Sequence, residues 1–310
     1  MEYVHVPVLY DDVLEGLQIK PDGVYFDGTL GGGGHALGVL QRLGQNGRLI
    51  ANDKDAAALE NAKEKLAAYA DKITYLHDDY KNALGHLDDL GIDKLDGALL
   101  DLGVSSYQID TAERGFSYVK DALLDMRMDE EQTLSALTVV NEYSEKELVR
   151  VLYEYGEEPN ARSIARRIVD ARGKKPIEST LELAALVAAA YPPKERYKHG
   201  NPAKRTFQAI RIEVNDELRG LEEFVTNLAL RLKPGGRLCV ITFHSLEDRI
   251  VKRAFVELEK DCVCDKKLPV CVCNKRQEIK IITKKPILGE KEAEQNKRAE
   301  SAKLRIAERI

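Results

Sequence analysis

The stretch "VYFDGTLGGGGHALGVL", Val24 to Leu40, decides the fold. An apolar run ending in Asp27 passes into four consecutive glycines, and a helical pattern begins at once around His35. A strand, a glycine turn and a helix in that order allow close approach to backbone amides at the start of the helix.

The same alternation continues downstream. Strand-like runs at Val24–Thr29, Arg48–Asn52, Ile73–His77 and Ala98–Leu102 are separated by helical patterns, among them Asp55–Tyr69 and Lys81–Leu90. This predicts an α/β fold whose parallel sheet carries helices on both faces and gathers its C-terminal strand ends on one ligand-binding edge. The rhythm stops after "LLDLGVSS", and residues 107–205 show helical patterns without a buried strand, at Glu145–Tyr155, Pro159–Arg172 and Thr180–Ala190. It resumes with one long helix expected over Thr206–Leu232, stopped by "LKPGG", and a strand at Arg237–Phe243. These patterns predict a discontinuous core, 1–106 with 206–310, and a helical insert over 107–205. Two late strands, Glu278–Thr283 and the terminal "KLRIAERI", are expected to pair antiparallel at the sheet edge.

The residues around the glycines narrow the ligand. Asp53 ends the second strand, about twenty residues downstream, where an acid accepts hydrogen bonds from both hydroxyls of an adenosine ribose. That spacing suits a nicotinamide dinucleotide and S-adenosylmethionine (SAM) alike. Two details favour SAM. Asp27 suits a cationic amino group and opposes a pyrophosphate, and Ala36 stands where the third glycine of G-x-G-x-x-G belongs. A P-loop is excluded because His35 and Ala36 replace its Lys-Ser/Thr. Gly31 and Gly32 are expected to form the tight turn, with Gly33, Gly34 and His35 pressing backbone against the methionine end. After the third strand, Tyr80 can stack on adenine and Asp79 can meet its exocyclic amine. Asp101 ends the fourth strand, next to the methyl donor in this architecture. Its alternative is a helix cap, since "DLGVSS" is also good turn chemistry.

Composition sets the outer limits. The chain has 310 residues, 32% of them charged, and no apolar run of the length a membrane span needs, so no membrane partner is expected. "MEYVHVPVLYDD" has neither a basic start nor an apolar core, and four of five cysteines crowd into one short segment. A cytoplasmic protein is the expectation. Net charge is −5, yet residues 249–310 carry 17 Lys/Arg against 10 Asp/Glu, which fits either a polyanion partner or a solvated basic end. The segment "CVCDKKLPVCVC" places Cys262, Cys264, Cys271 and Cys273 as C-x-C-x₆-C-x-C. Four thiolates could hold a tetrahedral zinc, although knuckles ordinarily use C-x₂-C; free or redox-labile thiols are the alternative. Cys239, within an apolar strand, reads as core.

Beyond these motifs, "HVPVL", "DGTLGGGGH", "DGALLDLGVSSYQID", "ERGFSY", "LDMRMD", "YGEEPNARSIARRIV", "KRTFQAIRIEVNDEL", "LKPGGRLCVITFHSLEDRIVKR" and "RAESAKLRIAER" occur in order from His5 to Arg309. In them the chain resembles the MraW-type family of ribosomal small-subunit RNA methyltransferases. The resemblance implies a class I SAM-dependent methyltransferase fold: a Rossmann-like, mostly parallel seven-stranded sheet with a helical insert. It also implies methylation of the N4 amino group of cytidine 1402 of 16S rRNA in the small ribosomal subunit. By the same resemblance, SAM contacts fall on Gly33, Gly34, His35, Asp53, Tyr80, Asp101 and Gln108. Position 80 is often Phe in relatives, and the cysteine cluster occurs only in some of them.

Cytosine N4 is a weak nucleophile, so an acceptor for its proton raises reactivity, and Asp101 is the candidate. The base must leave its stack to be reached. His244 and Ser245 of "FHSLEDR" are candidate contacts to it or its phosphate, with helix capping as the alternative for His244. Arg127, Arg162, Arg166, Arg167, Lys204, Arg205, Arg249, Lys252 and Arg253 are candidate phosphate contacts. His5, His77, His86 and His199 lack ligand-like spacing. A homodimer through the helical insert is a further expectation. The rival functions are a nicotinamide-dependent oxidoreductase and a non-catalytic RNA-binding assembly factor with a vestigial SAM site.

Overall fold

The computed structural model describes residues 7–194, 196–198, 200–265, 270–294 and 296–310. His5 and His199 lie outside these. Along the chain run α1 (Tyr10–Leu17), β1 (Val24–Asp27), α2 (Gly34–Leu40), β2 (Arg48–Asp53), α3 (Ala56–Lys65), β3 (Ile73–His77), α4 (Ala83–Asp89) and β4 (Leu95–Asp101). Then follow α5 (Ser106–Asp110), α6 (Ala136–Glu142), α7 (Glu145–Glu154), α8 (Ala161–Arg172), α9 (Thr180–Ala189) and α10 (Ala203–Asn215). The chain closes with α11 (Leu221–Leu230), β5 (Leu232–Thr242), α12 (Ser245–Glu259), β6 (Ile279–Ile281), β7 (Ile287–Leu288) and β8 (Lys303–Arg309). Among the described residues no helix is long and apolar enough to cross a membrane.

Two compact units emerge, 1–103 with 218–310, and 104–217. In the first, the strand order is β3-β2-β1-β4-β5-β8-β6. β3, β2, β1, β4 and β5 are parallel, while β8 runs antiparallel between β5 and β6 and also pairs with β7. The two-residue β7 is an eighth strand beyond the seven expected. Alternation assigns each face of the sheet. Leu49, Leu99, Cys239 and Ile241 pack with Leu14, Leu17 and Leu40 on one side. Ile50, Leu100, Leu238 and Val240 pack with Leu87, Phe224, Val251 and Phe255 on the other. Cys239 is fully buried, and that burial pushes its thiol up to about 12, as befits a core residue.

A buried ion pair locks α12 to β8. Arg305 donates through Nε and Nη2 to both oxygens of Asp248, at 2.7 and 3.2 Å, with Lys303 at 3.6 Å. Burial works to raise the Asp248 carboxyl, but the Arg305 and Lys303 charges outweigh it and hold the group below its usual range. Such a depressed carboxyl stabilises the fold above the ordinary Asp value and loses that contribution as pH falls through its folded value.

In the helical unit, Leu148, Val151 and Leu152 of α7, Ile164, Ala165 and Ile168 of α8, and Phe207, Ile210 and Val214 of α10 form one core. Helix starts follow the capping rule: Ser144 with Glu147, and Ser179 with Glu182, form reciprocal capping boxes. The unit runs to Glu217 and not to the expected Arg205, because α10 belongs to this core. The single helix expected over Thr206–Leu232 is likewise two. Asp216 adopts a left-handed conformation (φ 52°), which Asp tolerates better than most residues, and the chain turns before α11. "LKPGG" is not simply a stop: α11 ends at Leu230, and the segment between Leu232 and Arg237 is an irregularity inside β5, with Gly235 at φ 78°.

Asn215 shows why the helix breaks where it does. Its side chain is buried, donates to the Met126 and Arg211 carbonyls at 2.7 and 2.9 Å, and accepts from the Met128 amide at 2.7 Å. It thereby pins the "LDMRMD" loop, where Met126 sits at φ 58°.

Two expected outcomes follow from these contacts. Asp248→Asn strands the buried Arg305 charge and lowers unfolding free energy by about 3 kcal/mol in chemical denaturation. The variant also loses less stability than the wild type as pH is lowered through about 4, because the titrating group is gone. Asn215→Ala costs about 2–3 kcal/mol, since three backbone groups lose its side chain as a partner, one in a buried bond and two in partly buried ones.

Candidate active site at the sheet edge

The ends of β1, β2 and β4 carry Asp27, Asp53 and Asp101. Register pairs Asp27 with Ala51 and with Leu99, so period-two alternation puts all three acids on the same face. Asp27 is 3% exposed, and burial raises its carboxyl to about 7 despite the Thr29 amide it accepts at 3.1 Å, with Asp53 adding repulsion. Asp53 is raised to about 6 by burial, against the stabilising amides of Asp55 at 2.9 Å and Gly31 at 2.7 Å. Asp101 is raised furthest, to about 8, by burial and then by the Asp27 and Glu247 carboxylates. Its Oδ1 is buried without a hydrogen-bond partner, while the side chain as a whole keeps 27% exposure, so the carboxyl forms part of the edge surface.

The glycine loop is strapped across these strand ends. The Gly28 amide donates to the Leu99 carbonyl and the Leu30 amide to the Asn52 carbonyl, at 3.0 and 2.9 Å. The Asp101 amide donates to Thr29 Oγ1 at 2.6 Å, and Lys65 Nζ reaches the Gly32 carbonyl at 2.9 Å. The division of labour among the glycines differs from expectation. Gly31 and Gly33 are the turn residues, at φ 50° and 68°. Gly32 faces open space, and Gly34 leaves no room for a Cβ because Pro7 packs against it. Gly32 is therefore the loop position that faces outward.

His35 lies in the first turn of α2, 6% exposed, its ring stacked on Tyr10 at 6.0 Å and its Nε2 3.8 Å from Asp101 Oδ2. Tyr80 follows β3 and packs on Phe224, ring centroids 5.2 Å apart. Asp79 accepts from the Lys81 amide and lies 3.5 and 3.4 Å from the Lys54 and Lys81 ammonium groups. His77 contacts the Lys54 carbonyl at 3.2 Å and His86 contacts Asp78 at 2.8 Å, both ordinary packing roles.

Three expected contacts turn out to have structural work. His244 is the N-cap of α12 and forms a capping box with Glu247, its Nε2 lying 3.1 Å from Glu247 Oε1. Ser245, next to it, is exposed. In the helical unit, Gln108 completes a capping box with Ser105: its Oε1 accepts from the Ser105 amide at 2.9 Å. Arg127, also there, donates to both oxygens of Asp125 at 2.8 Å and to the Glu130 and Gln132 carbonyls. Its charge is thus paired within its own loop. By contrast Arg162, Arg166, Arg167, Lys204, Arg205, Arg249, Lys252 and Arg253 are all exposed.

Three residues of this edge escaped sequence reading. Thr29 fixes the Asp101 backbone; Asn52, fully buried, donates to the Gly28 and Asp78 carbonyls; Glu247, 1% exposed, accepts from the Phe243 amide and faces Asp101. Only the last had a signal, the three-residue capping spacing from His244 to Glu247.

The edge fits SAM on its donor set. Acids crowded into a poorly solvated place favour a cationic ligand, which restores their ionised forms, and they oppose a pyrophosphate. Asp53 retains a second lone pair on each oxygen for ribose hydroxyls. The Oδ1 of Asp101, without a hydrogen-bond partner among the described residues, is the acceptor at this edge left for such a ligand.

A model of the MraW methylase family matches residues 2–310. A protein named ribosomal RNA small subunit methyltransferase H from Lachnospira eligens is 52% identical over 311 residues, covering 100% of this chain and 99% of its own. Proteins of the same name from Clostridium botulinum (strain Kyoto / Type A2) and Finegoldia magna are 53% and 51% identical, each match covering 100% of both chains. The parallel sheet with an antiparallel β8 inserted beside β5 is the class I methyltransferase fold that the sequence resemblance implied. With acids at three strand ends, a strapped glycine loop and relatives matched end to end, the chain belongs to the MraW methylase family.

Proposed function

We propose that this protein transfers a methyl group from SAM to the N4 amino group of cytidine 1402 of 16S rRNA in the small ribosomal subunit. The observation that carries the chemistry is the Asp101 carboxyl, whose Oδ1 has no hydrogen-bond partner among the described residues and which is raised to about 8. The names of the full-length relatives support ribosomal RNA of the small subunit as substrate, and the motif resemblance supports the nucleotide and the N4 position. A cytoplasmic site of action follows from that substrate. The family assignment and the acidic edge weigh against the nicotinamide oxidoreductase.

SAM, when bound, supplies a methyl group on a sulfonium centre. The chain's own residues do the rest. Asp53 would hold the ribose, Tyr80 would stack on the adenine, and Asp27 would take the ammonium group. Gly33, Gly34 and His35 would contribute through the backbone and packing of the loop. Asp101 would accept the N4 proton as the carbon–nitrogen bond forms and the donor's carbon–sulfur bond breaks to leave a neutral thioether, so its carboxylate form is the active one. His35 beside Asp101 and Thr29 at its amide keep the carboxyl in place. Exposed cations of α8, α10 and α12 neutralise RNA phosphates. None of these steps uses the cysteine segment.

Asp101→Asn is expected to bind SAM within a few-fold of the wild type by calorimetry and to lose about 10²–10⁴ in kcat. Near-normal turnover would remove the acceptor role. In the wild type, kcat/KM should rise with pH through about 8, the value of Asp101 in the free protein, and that limb should vanish in the variant. Asp53→Asn should raise the SAM Kd about 10–100-fold with a smaller effect on kcat. RNA binding should weaken steeply with salt, each phosphate contact adding a slope of about −0.7 for single strands. The decisive measurement is mass-spectrometric mapping on small subunits from cells lacking the protein: N4 methylation at 1402 should be absent, return with wild type, and not return with Asp101→Asn.

A further inference from the structure

The chain between α12 and β6 carries a second chemical feature, separate from methyl transfer. The four sulfurs of Cys262, Cys264, Cys271 and Cys273 lie within 4.8 Å of one another. Cys262–Cys271 and Cys271–Cys273 are 3.5 Å apart, and Cys264–Cys271 and Cys262–Cys273 are 3.8 Å apart. A disulfide brings its sulfurs to about 2.05 Å. Four sulfurs around a tetrahedral zinc, each bonded at about 2.3 Å, are spaced at about 3.8 Å along every edge. The observed spacings match the second geometry.

Backbone amides reinforce it in a near-symmetric way. Each Cys-Val-Cys arm donates across to the other: Val263 to Cys273 Sγ at 3.4 Å, and Val272 to Cys264 Sγ at 3.3 Å. The Cys264 amide also donates to Cys262 Sγ at 3.4 Å. Donors aimed at sulfur stabilise thiolates, the form a metal requires. The stems of the loop are held without help, since Lys260 and Lys275 both reach Glu257, at 2.6 and 3.7 Å, and the Glu278 amide bonds the Leu258 carbonyl at 2.9 Å. The tip is different. Val263, Val270 and Val272 are 54%, 70% and 70% exposed, so no apolar core sits beneath it among the described residues. A short coreless excursion is ordered by a cross-link or a metal.

We propose that Cys262, Cys264, Cys271 and Cys273 form a closed Zn²⁺ tetrathiolate site that orders the loop between α12 and β6. Four protein sulfurs complete the coordination, so the metal has no open position and a structural role. Binding displaces the four thiol protons to solvent and changes no oxidation state.

Full-length protein purified under reducing conditions should contain about one zinc per chain by mass spectrometry of the metal. Titration of the wild type with an organomercurial should release that zinc in step with modification of the clustered thiols. Replacement by Co²⁺ should give intense thiolate-to-metal charge-transfer bands with tetrahedral d–d absorption, and Cys271→Ser should lose metal and become cleavable by protease at the tip. SAM affinity of Cys271→Ser should match the wild type, which keeps this inference separate from the proposed methyl transfer. Zinc-free protein that still gives no Co²⁺ spectrum after reconstitution would overturn the site. So would iron in place of zinc, or two disulfides in the freshly isolated chain.

Discussion

Asp27 and Asp101 end neighbouring strands on the same face, Asp27 almost wholly buried and Asp101 partly open at the edge. Burial raises them to about 7 and 8. Keeping acids there costs stability, because a carboxyl that is neither solvated nor paired must stay protonated or bear the desolvation of its charge. The surrounding contacts are arranged to keep them in place. The Thr29 hydroxyl receives the Asp101 amide, the Asp53 carboxylate receives the Gly31 amide, and fully buried Asn52 bridges the Gly28 and Asp78 carbonyls. The glycine loop is thus less a flexible cradle than a strap whose ends are tied to three strands.

The same constraint explains the behaviour of the histidines. His35 and His244 both lie beside acids at this edge, yet neither is presented as a free contact. His35 stacks on Tyr10 and lies beside Asp101, while His244 caps α12 together with Glu247, which itself faces Asp101. A helix start and the Asp101 carboxyl therefore share one buried neighbour. The outermost part of the edge is left to Asp101, Gly32 and Ser245.

Much of this was legible before any coordinates. Unbroken apolar runs at Leu49–Ala51 and Ala98–Leu100 fit strands buried on both faces, and the helices between them fit parallel pairing. Asp53 and Asp101 could be placed at strand ends because apolar runs stop there. Other features lay beyond local pattern. Thr206–Leu232 reads as one helix because nothing in its apolar spacing records that Asn215 turns inward to hold the Met126 loop and that Asp216 then takes a left-handed conformation. Arg127 reads as a phosphate contact because charge is visible in sequence and its pairing with Asp125 is not.

The sequence by itself determined the sheet, the acids that end its strands, the glycine turn and the clustering of four cysteines, since all depend on periodicity or on neighbours close along the chain. Tertiary structure decided which glycine faces outward, which histidine is consumed as a cap, and that the four sulfurs meet at tetrahedral spacing. These are set by contacts between residues brought together only when strands and helices pack. Pro7 against Gly34 and Thr29 against Asp101 are two of them, and neither leaves a period in the sequence.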